Sequence, residues 1–283
     1  MTHDSSPSKR WRAWTFVAMV SAVALATCQG PQALHNWQAE KAYKERYAKA
    51  KALFEERCKT AGVVIHRTVK DVEGIELTKV RPKLEWADKR YFDPMFEGAA
   101  MAGEAQGDRY VWSFLQNEAR LINSPEMRGT LWPPGSIISP GQLPHTRGYR
   151  FVDYTEPGRQ RLRCKALGKP NPANFADLMR CEPIQKATAR YALDYEDIVD
   201  AEDRKFWVAG TVLKVIDQQS GEVIATYTKF IWDPGFGLST SGRWPWQHAD
   251  GMGDRNCPYT PGTPTHSDSR YFIDSVLIPK QGD

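Results

Sequence analysis

The stretch KFWVAGTVLKVID (205–217), QQSG (218–221), EVIATYTKFIW (222–232) decides the fold class. Two long runs of β-branched and aromatic residues flank a four-residue turn that ends in Gly, where a positive φ is needed. The pattern predicts a long antiparallel hairpin. Working upstream, Tyr191, Leu193 and Tyr195 alternate with polar residues over Arg190–Glu196, which predicts another strand. Gly148–Tyr154 alternates as well, and Arg161–Ala166 is placed to pair with it across Glu156, Pro157 and Gly158. Val63–Val69 and Gly74–Val80 are expected to pair through a turn at Asp71–Gly74, and Asp108–Leu115 to be a strand with Tyr110, Trp112 and Phe114 on one side. Pro133, Pro134 and Gly135, then Pro140 and Gly141, mark loops.

Helical periodicity marks the two ends. Over 33–61, Tyr43, Tyr47, Ala50, Phe54 and Cys58 recur at spacings of three and four, with Gly62 as C-cap. Ser267–Ile278 reads as a closing helix, capped by Ser267 or Asp268, with Tyr271, Phe272, Val276 and Leu277 facing inward. The expected fold is α+β: a long N-terminal helix, a mostly antiparallel β-sheet domain and a C-terminal helix. The expected divisions are a leader or anchor over 1–27, a membrane-proximal helix over 28–62 and a single domain over 63–283.

The hydrophobic content of 41% and charged content of 25% are those of a globular chain, and ten Trp with eleven each of Phe and Tyr supply a core. Lys9, Arg10 and Arg12 against Asp4 account for half of the net charge of +4. What remains is too small to indicate nucleic acid as a partner.

Lys9, Arg10 and Arg12 precede an uncharged apolar run from Trp14 to Ala26. A positive flank and a run of this length make a signal-peptide core or a signal anchor, with everything downstream outside the cytoplasm. The run ends at Leu25, Ala26, Thr27 and Cys28, which resembles a bacterial lipobox; Thr27 departs from the small residue that usually precedes the Cys. Cys28 is therefore the expected lipidation site, with an uncleaved helix as the alternative, and Gln29 leans toward the outer membrane. Four further cysteines, Cys58, Cys164, Cys181 and Cys257, suit two disulfides in an exported protein. Cys164 and Cys181 flank the Pro- and Gly-rich stretch Gly168–Pro172 and close a short loop, which leaves Cys58 for Cys257. The separations match no CxxC-type zinc motif.

FEERCKTAG (54–62), VKDVEG (69–74), DRKFWVAG (203–210) and LKVID (213–217) resemble a family of uncharacterised proteobacterial envelope proteins that carry an N-terminal signal or anchor. The resemblance spans most of 40–280 and is weakest over 82–146 and around Cys164–Cys181. It implies cysteines paired as Cys58–Cys257, with Cys164–Cys181 an addition in this chain. The family has no assigned activity. Its association with genes beside secreted antibacterial effectors implies an immunity role.

The chain carries no GxSxG, HExxH, Gly-rich phosphate loop or CxxC motif, and no cofactor or metal is expected. Asp194, Glu196 and Asp197 form an acidic run that offers too few oxygens for calcium. Glu202, Asp203 and Arg204 read as a surface turn. The most suggestive segment is Trp244–Gly251. Trp244 and Trp246 are candidate anchors for a protein partner, since interface energy concentrates in Trp. His248 and Asp250 belong to the same candidate surface, with a base and its orienting carboxylate as the enzymatic alternative. The functional expectation is a tethered periplasmic protein, held to the inner or outer membrane, that binds a toxin or an envelope component. A structural envelope lipoprotein is the other non-enzymatic reading.

Overall fold

A computed structural model describes residues 9–85, 88–115, 148–156, 160–167, 178–238, 244–258 and 268–280; for 9–33 and for 268 it describes only the helical backbone. The apolar run Trp14–Ala26 has its side chains outside the described residues, as does Cys28. The loop signals at 133–141 and 168–172, the turn at Pro157 and Gly158, and the cap residue Ser267 also lie outside them. Among the described residues no helix is long and apolar enough to cross a membrane.

The chain divides into two compact units, Met1–Lys49 and Ala50–Asp283. Helix α1, Lys9–Cys58, runs through both. Tyr43 and Tyr47 are exposed, with their rings 6.1 Å apart, and burial of the stripe starts only at Ala50 and Phe54.

The second unit is built on strands β1 (Gly62–Ile65), β2 (Val69–Val72), β3 (Gly74–Leu77), β4 (Phe151–Thr155), β5 (Arg161–Ala166), β6 (Met179–Pro183), β7 (Tyr191–Ile198), β8 (Val208–Asp217), β9 (Glu222–Trp232), β10 (Asn256–Cys257) and β11 (Leu277–Pro279). Helices are α2 (Asp108–Leu115), α3 (Ala201–Lys205), α4 (Pro245–Asp250) and α5 (Asp268–Val276), with 3₁₀ turns at Lys89–Phe92 and Glu97–Met101. Nine strands form one sheet in the order β1-β9-β8-β7-β3-β4-β5-β6, with β10 also on β9; β11 and β2 make a separate parallel pair. The large sheet is antiparallel except where β3 joins β4 and β7.

The β8–β9 hairpin forms as expected, with Asp217 opposite Glu222 and Gly221 at φ 75°. Asp217 accepts hydrogen bonds from Arg190 (2.8 and 3.1 Å), Arg67 (3.0 Å) and the Gln219 N–H (3.1 Å), which fixes the turn. Foremost among these, Arg190 holds the carboxyl down at about 2. The β4–β5 pair also forms, and Cys164 bonds to Cys181 across the β5–β6 register.

Three expectations fail. Val63–Val69 and Gly74–Val80 do not pair with each other: β1 lies at the sheet edge on β9, and β3 lies in the middle, buried on both faces. Gly74 permits this, because a Cβ there would stand 2.4 Å from the Phe151 ring on the neighbouring strand. Asp108–Leu115 is a helix. Tyr110, Val111, Phe114 and Leu115 are buried at helical spacing, and the Tyr110 and Phe114 rings meet edge-on at 5.1 Å. Of the expected surface turn at Glu202, Asp203 and Arg204, only Glu202 stays exposed, paired with Lys205; the other two turn inward on a short helix. Asp200 caps α3 through the Glu202 and Asp203 N–H groups, and Asp203 and Arg204 are buried. Asp203 takes a bidentate bond from Arg57 at 2.8–3.1 Å.

The main core lies under α2 and α5, with Ile75, Val152, Leu193, Leu213, Val215, Ile224, Phe272, Ile273 and Val276 among its members. The closing helix stops at Val276, and Leu277 starts β11. Glu104 caps α5 from a distant segment by accepting the Ser269 N–H and hydroxyl, both at 2.8 Å.

Candidate functional site

A second, smaller cluster sits where α3, α4, the two 3₁₀ turns and the start of β8 meet. α4 arises because Pro245 occupies the first helical position, where its missing N–H costs nothing, and His248 donates its N–H to the Trp244 carbonyl at 2.8 Å. This sends Trp246 inward. Its ring stacks on Trp207 at 4.8 Å, its indole N–H reaches the Asp93 carbonyl at 2.8 Å, and the Arg204 guanidinium lies 5.4 Å from its ring centre.

Asp250, on the next turn of α4, is fully buried. Its Oδ1 accepts from Lys229 Nζ at 2.5 Å and its Oδ2 from the Gly103 N–H at 2.7 Å. The lysine projects from the middle of β9 and is itself buried. Asn256 closes the end of α4 by donating its amide N–H to the carbonyls of Ala249, Asp250 and Met252 at 2.7–3.0 Å. The following Cys257 is bonded to Cys58.

Strain gathers in the same corner. Trp207 and Phe236 hold φ of 57° and 50°, a region that bulky residues rarely enter. Between them Asp233 accepts the Gly235 and Gly237 N–H groups at 3.0 and 2.8 Å, and burial pushes its carboxyl above the ordinary range. Arg204 keeps one bond, from Nη2 to the Ile198 carbonyl at 3.2 Å, while its Nε and Nη1 meet no acceptor among the described residues. Burial lowers that guanidinium to about 10. Trp244 Nε1, Gln247 Oε1, Arg255 Nε and Asn256 Oδ1 are likewise buried without a hydrogen-bond partner. Buried polar atoms are rarely left so, and one of these groups, Arg204, lies against the Trp246 ring.

Exposed apolar side chains lie in the segments that flank this cluster in sequence. Phe92, Met95 and Met252 are exposed and Leu238 is 71% exposed. Phe92 and the half-buried Trp244 meet edge-on at 4.8 Å.

The residues expected in this segment therefore separate. Trp246, with no exposure, cannot anchor a partner, and Asp250 has both oxygens committed inside the protein. His248 and Asp250 also do not form a base–carboxylate pair. Residues two apart on a helix point to opposite sides, and Asp250 turns to Lys229. Trp244 and the half-buried His248 remain nearer the surface. Phe92 and Met95 were missed; the Asp93-Pro94 turn signal beside them marks the loop that presents them. The acidic run on β7 is committed too: Asp194 accepts from Thr78 and faces Lys79, Glu196 pairs with Lys214 at 2.7 Å, and Asp197 takes a bidentate bond from Arg81 at 2.5–2.7 Å.

Compared with family models, with curated proteins and with solved structures, the chain matches none.

Proposed function

We propose that this is an exported, membrane-tethered periplasmic protein that works by binding another protein, and in its sharpest form an immunity protein that blocks a secreted antibacterial toxin by covering it. Phe92, exposed and in edge-on contact with Trp244, carries the reading, with Met95, Leu238 and Met252 exposed in the segments that flank it in sequence. Apolar side chains at a protein surface, held on a rigid and polar underlayer, suit a contact whose energy is concentrated in a few aromatic anchors. The two disulfides are compatible with an oxidising compartment outside the cytoplasm.

The test is purification of the tagged full-length protein from its native cells with its genomic neighbours co-expressed. One stoichiometric partner is expected, and its toxicity should be suppressed by this chain. The double variant Phe92→Ser, Met95→Ser should lose both capture and protection while melting as the parent does. A folded, abundant protein with no partner, or protection untouched by that variant, would sink the proposal.

A further inference from the structure

The two ends of the large sheet are built differently. β6 carries Arg180, Glu182 and Pro183, the kinds of residue that keep an edge from pairing with another chain. β1, at the other end, is Gly62, Val63, Val64 and Ile65, with neither charge nor proline. Val63, Val64 and Ile65 are 49%, 51% and 41% exposed, so apolar side chains stand open on both faces of the strand.

The backbone of β1 has a fixed polarity. His66 donates its N–H to the Ile224 carbonyl at 2.9 Å, and on the opposite side of β9 Asp233 donates to the Trp207 carbonyl at 3.0 Å. Even-numbered residues of β9 thus aim their backbone groups at β1, and odd-numbered ones at β8. Gly62 and Val64, opposite Thr228 and Thr226, are the residues bonded to β9. Val63 and Ile65 turn their N–H and C=O groups outward.

We propose that β1 is a self-association strand, pairing antiparallel with β1 of a second copy about a twofold axis through Val64. That register sets Val63 opposite Ile65 of the other copy, twice, so the outward groups of both strands meet in full. A twofold through Val63 or Ile65 would match only one such pair within the strand. At the strand's end Gly62 falls opposite His66, so no like charges meet within the paired segment. Arg67 is already held by Asp217 and Glu222 at 3.0 and 3.2 Å. Interfaces this short bury far less than a standard one, so the dimer is weak, with a Kd above about 1 μM, and forms where the protein is concentrated. This pairing is independent of the Trp244 corner.

The full-length protein in lipid vesicles tests it through Val64→Cys. Facing residues that are not hydrogen-bonded to each other lie about 4.5 Å apart at Cα, within disulfide reach. Under mild oxidation Val64→Cys should form a covalent dimer at least about tenfold faster than the exposed control Lys70→Cys. Adding Ile65→Pro removes an N–H that the monomer does not use and should abolish that dimer; Ile65→Lys should do the same without altering the backbone. Equal rates for Val64→Cys and Lys70→Cys, or cross-linking that survives both Ile65 variants, would overturn the proposal.

Discussion

The two halves of the β8–β9 hairpin face different interiors. Around Leu213, Val215, Ile224 and Tyr227 the hairpin lies against aliphatic and aromatic side chains under α2 and α5. Toward the other end, Ala209, Lys229 and Ile231 support stacked indoles, a buried ion pair and a buried arginine. The first interior gains from burial nearly everywhere. The second carries costs that burial alone does not offset: unmet N–H groups on Arg204, two bulky residues at positive φ and a carboxyl pushed upward at Asp233. Such costs persist where the surroundings over-determine them, and they gather at working surfaces. The contrast is why the Phe92–Trp244 contact beside the second interior is the better candidate for function.

The sharpest way to break the comparison is at Asp250. Asp250→Ala removes the ion-pair partner that the buried Lys229 has in α4 and should cost about 3–5 kcal/mol in denaturant unfolding. The double change Lys229→Met, Asp250→Leu should recover most of that. In the aliphatic interior, Leu213→Ala should cost about 2–5 kcal/mol, and no polar partner change would rescue it. If Asp250→Ala is near neutral, the ion pair does not organise the corner.

Gly237 gives a smaller effect. It sits at φ 86°, and a Cβ there would lie 2.3 Å from the Trp207 ring, so Gly237→Ala should cost about 1–3 kcal/mol. Gly221→Ala, also at positive φ but in open space, should cost about 1 kcal/mol. Equal melting shifts for the two would remove the claim of tight packing at Trp207.

Acid should act on the two regions with opposite sign. Asp217, held at about 2, contributes stability that is whole above its ordinary 3.8 and lost as pH falls through the folded value. Asp233 is raised, so its protonation favours the fold as pH drops through its folded value toward 3.8. Carboxyl titrations followed by NMR should show the two moving apart; a shared midpoint would contradict the contrast. Smallest of all, Phe92→Ser and Met95→Ser should each change stability by less than about 0.5 kcal/mol, because they alter only exposed side chains. A larger loss in thermal unfolding would make those side chains part of the core.

The hairpin was legible because its runs are long enough for period two to stand out. At eight residues, Asp108–Leu115 satisfies strand alternation and helical spacing together, so pattern alone does not separate them. β3 is four residues buried on both faces, and its neighbours come from residues 151–154 and 191–193, which no local signal announces. In the candidate site the segment was found but its sides were not. Pro245 followed by Gly251 is a helix start and stop, and reading it so would have turned Trp246 inward. The partnership of Lys229 with Asp250 had no such trace, since a lysine in a strand and an aspartate near a glycine are each ordinary alone.

The Cys58–Cys257 bond closes a covalent ring across a sequence separation of 199. Considered as a mechanical element, it makes the chain between residues 58 and 257 inextensible. A pull applied across Cys58 and Cys257 crosses the sulfurs, so the strands between them are shunted out of that load path. A force carried along α1 is thus shared between the Arg57–Asp203 bond and, through the sulfurs, β10 and the Asn256 that closes α4.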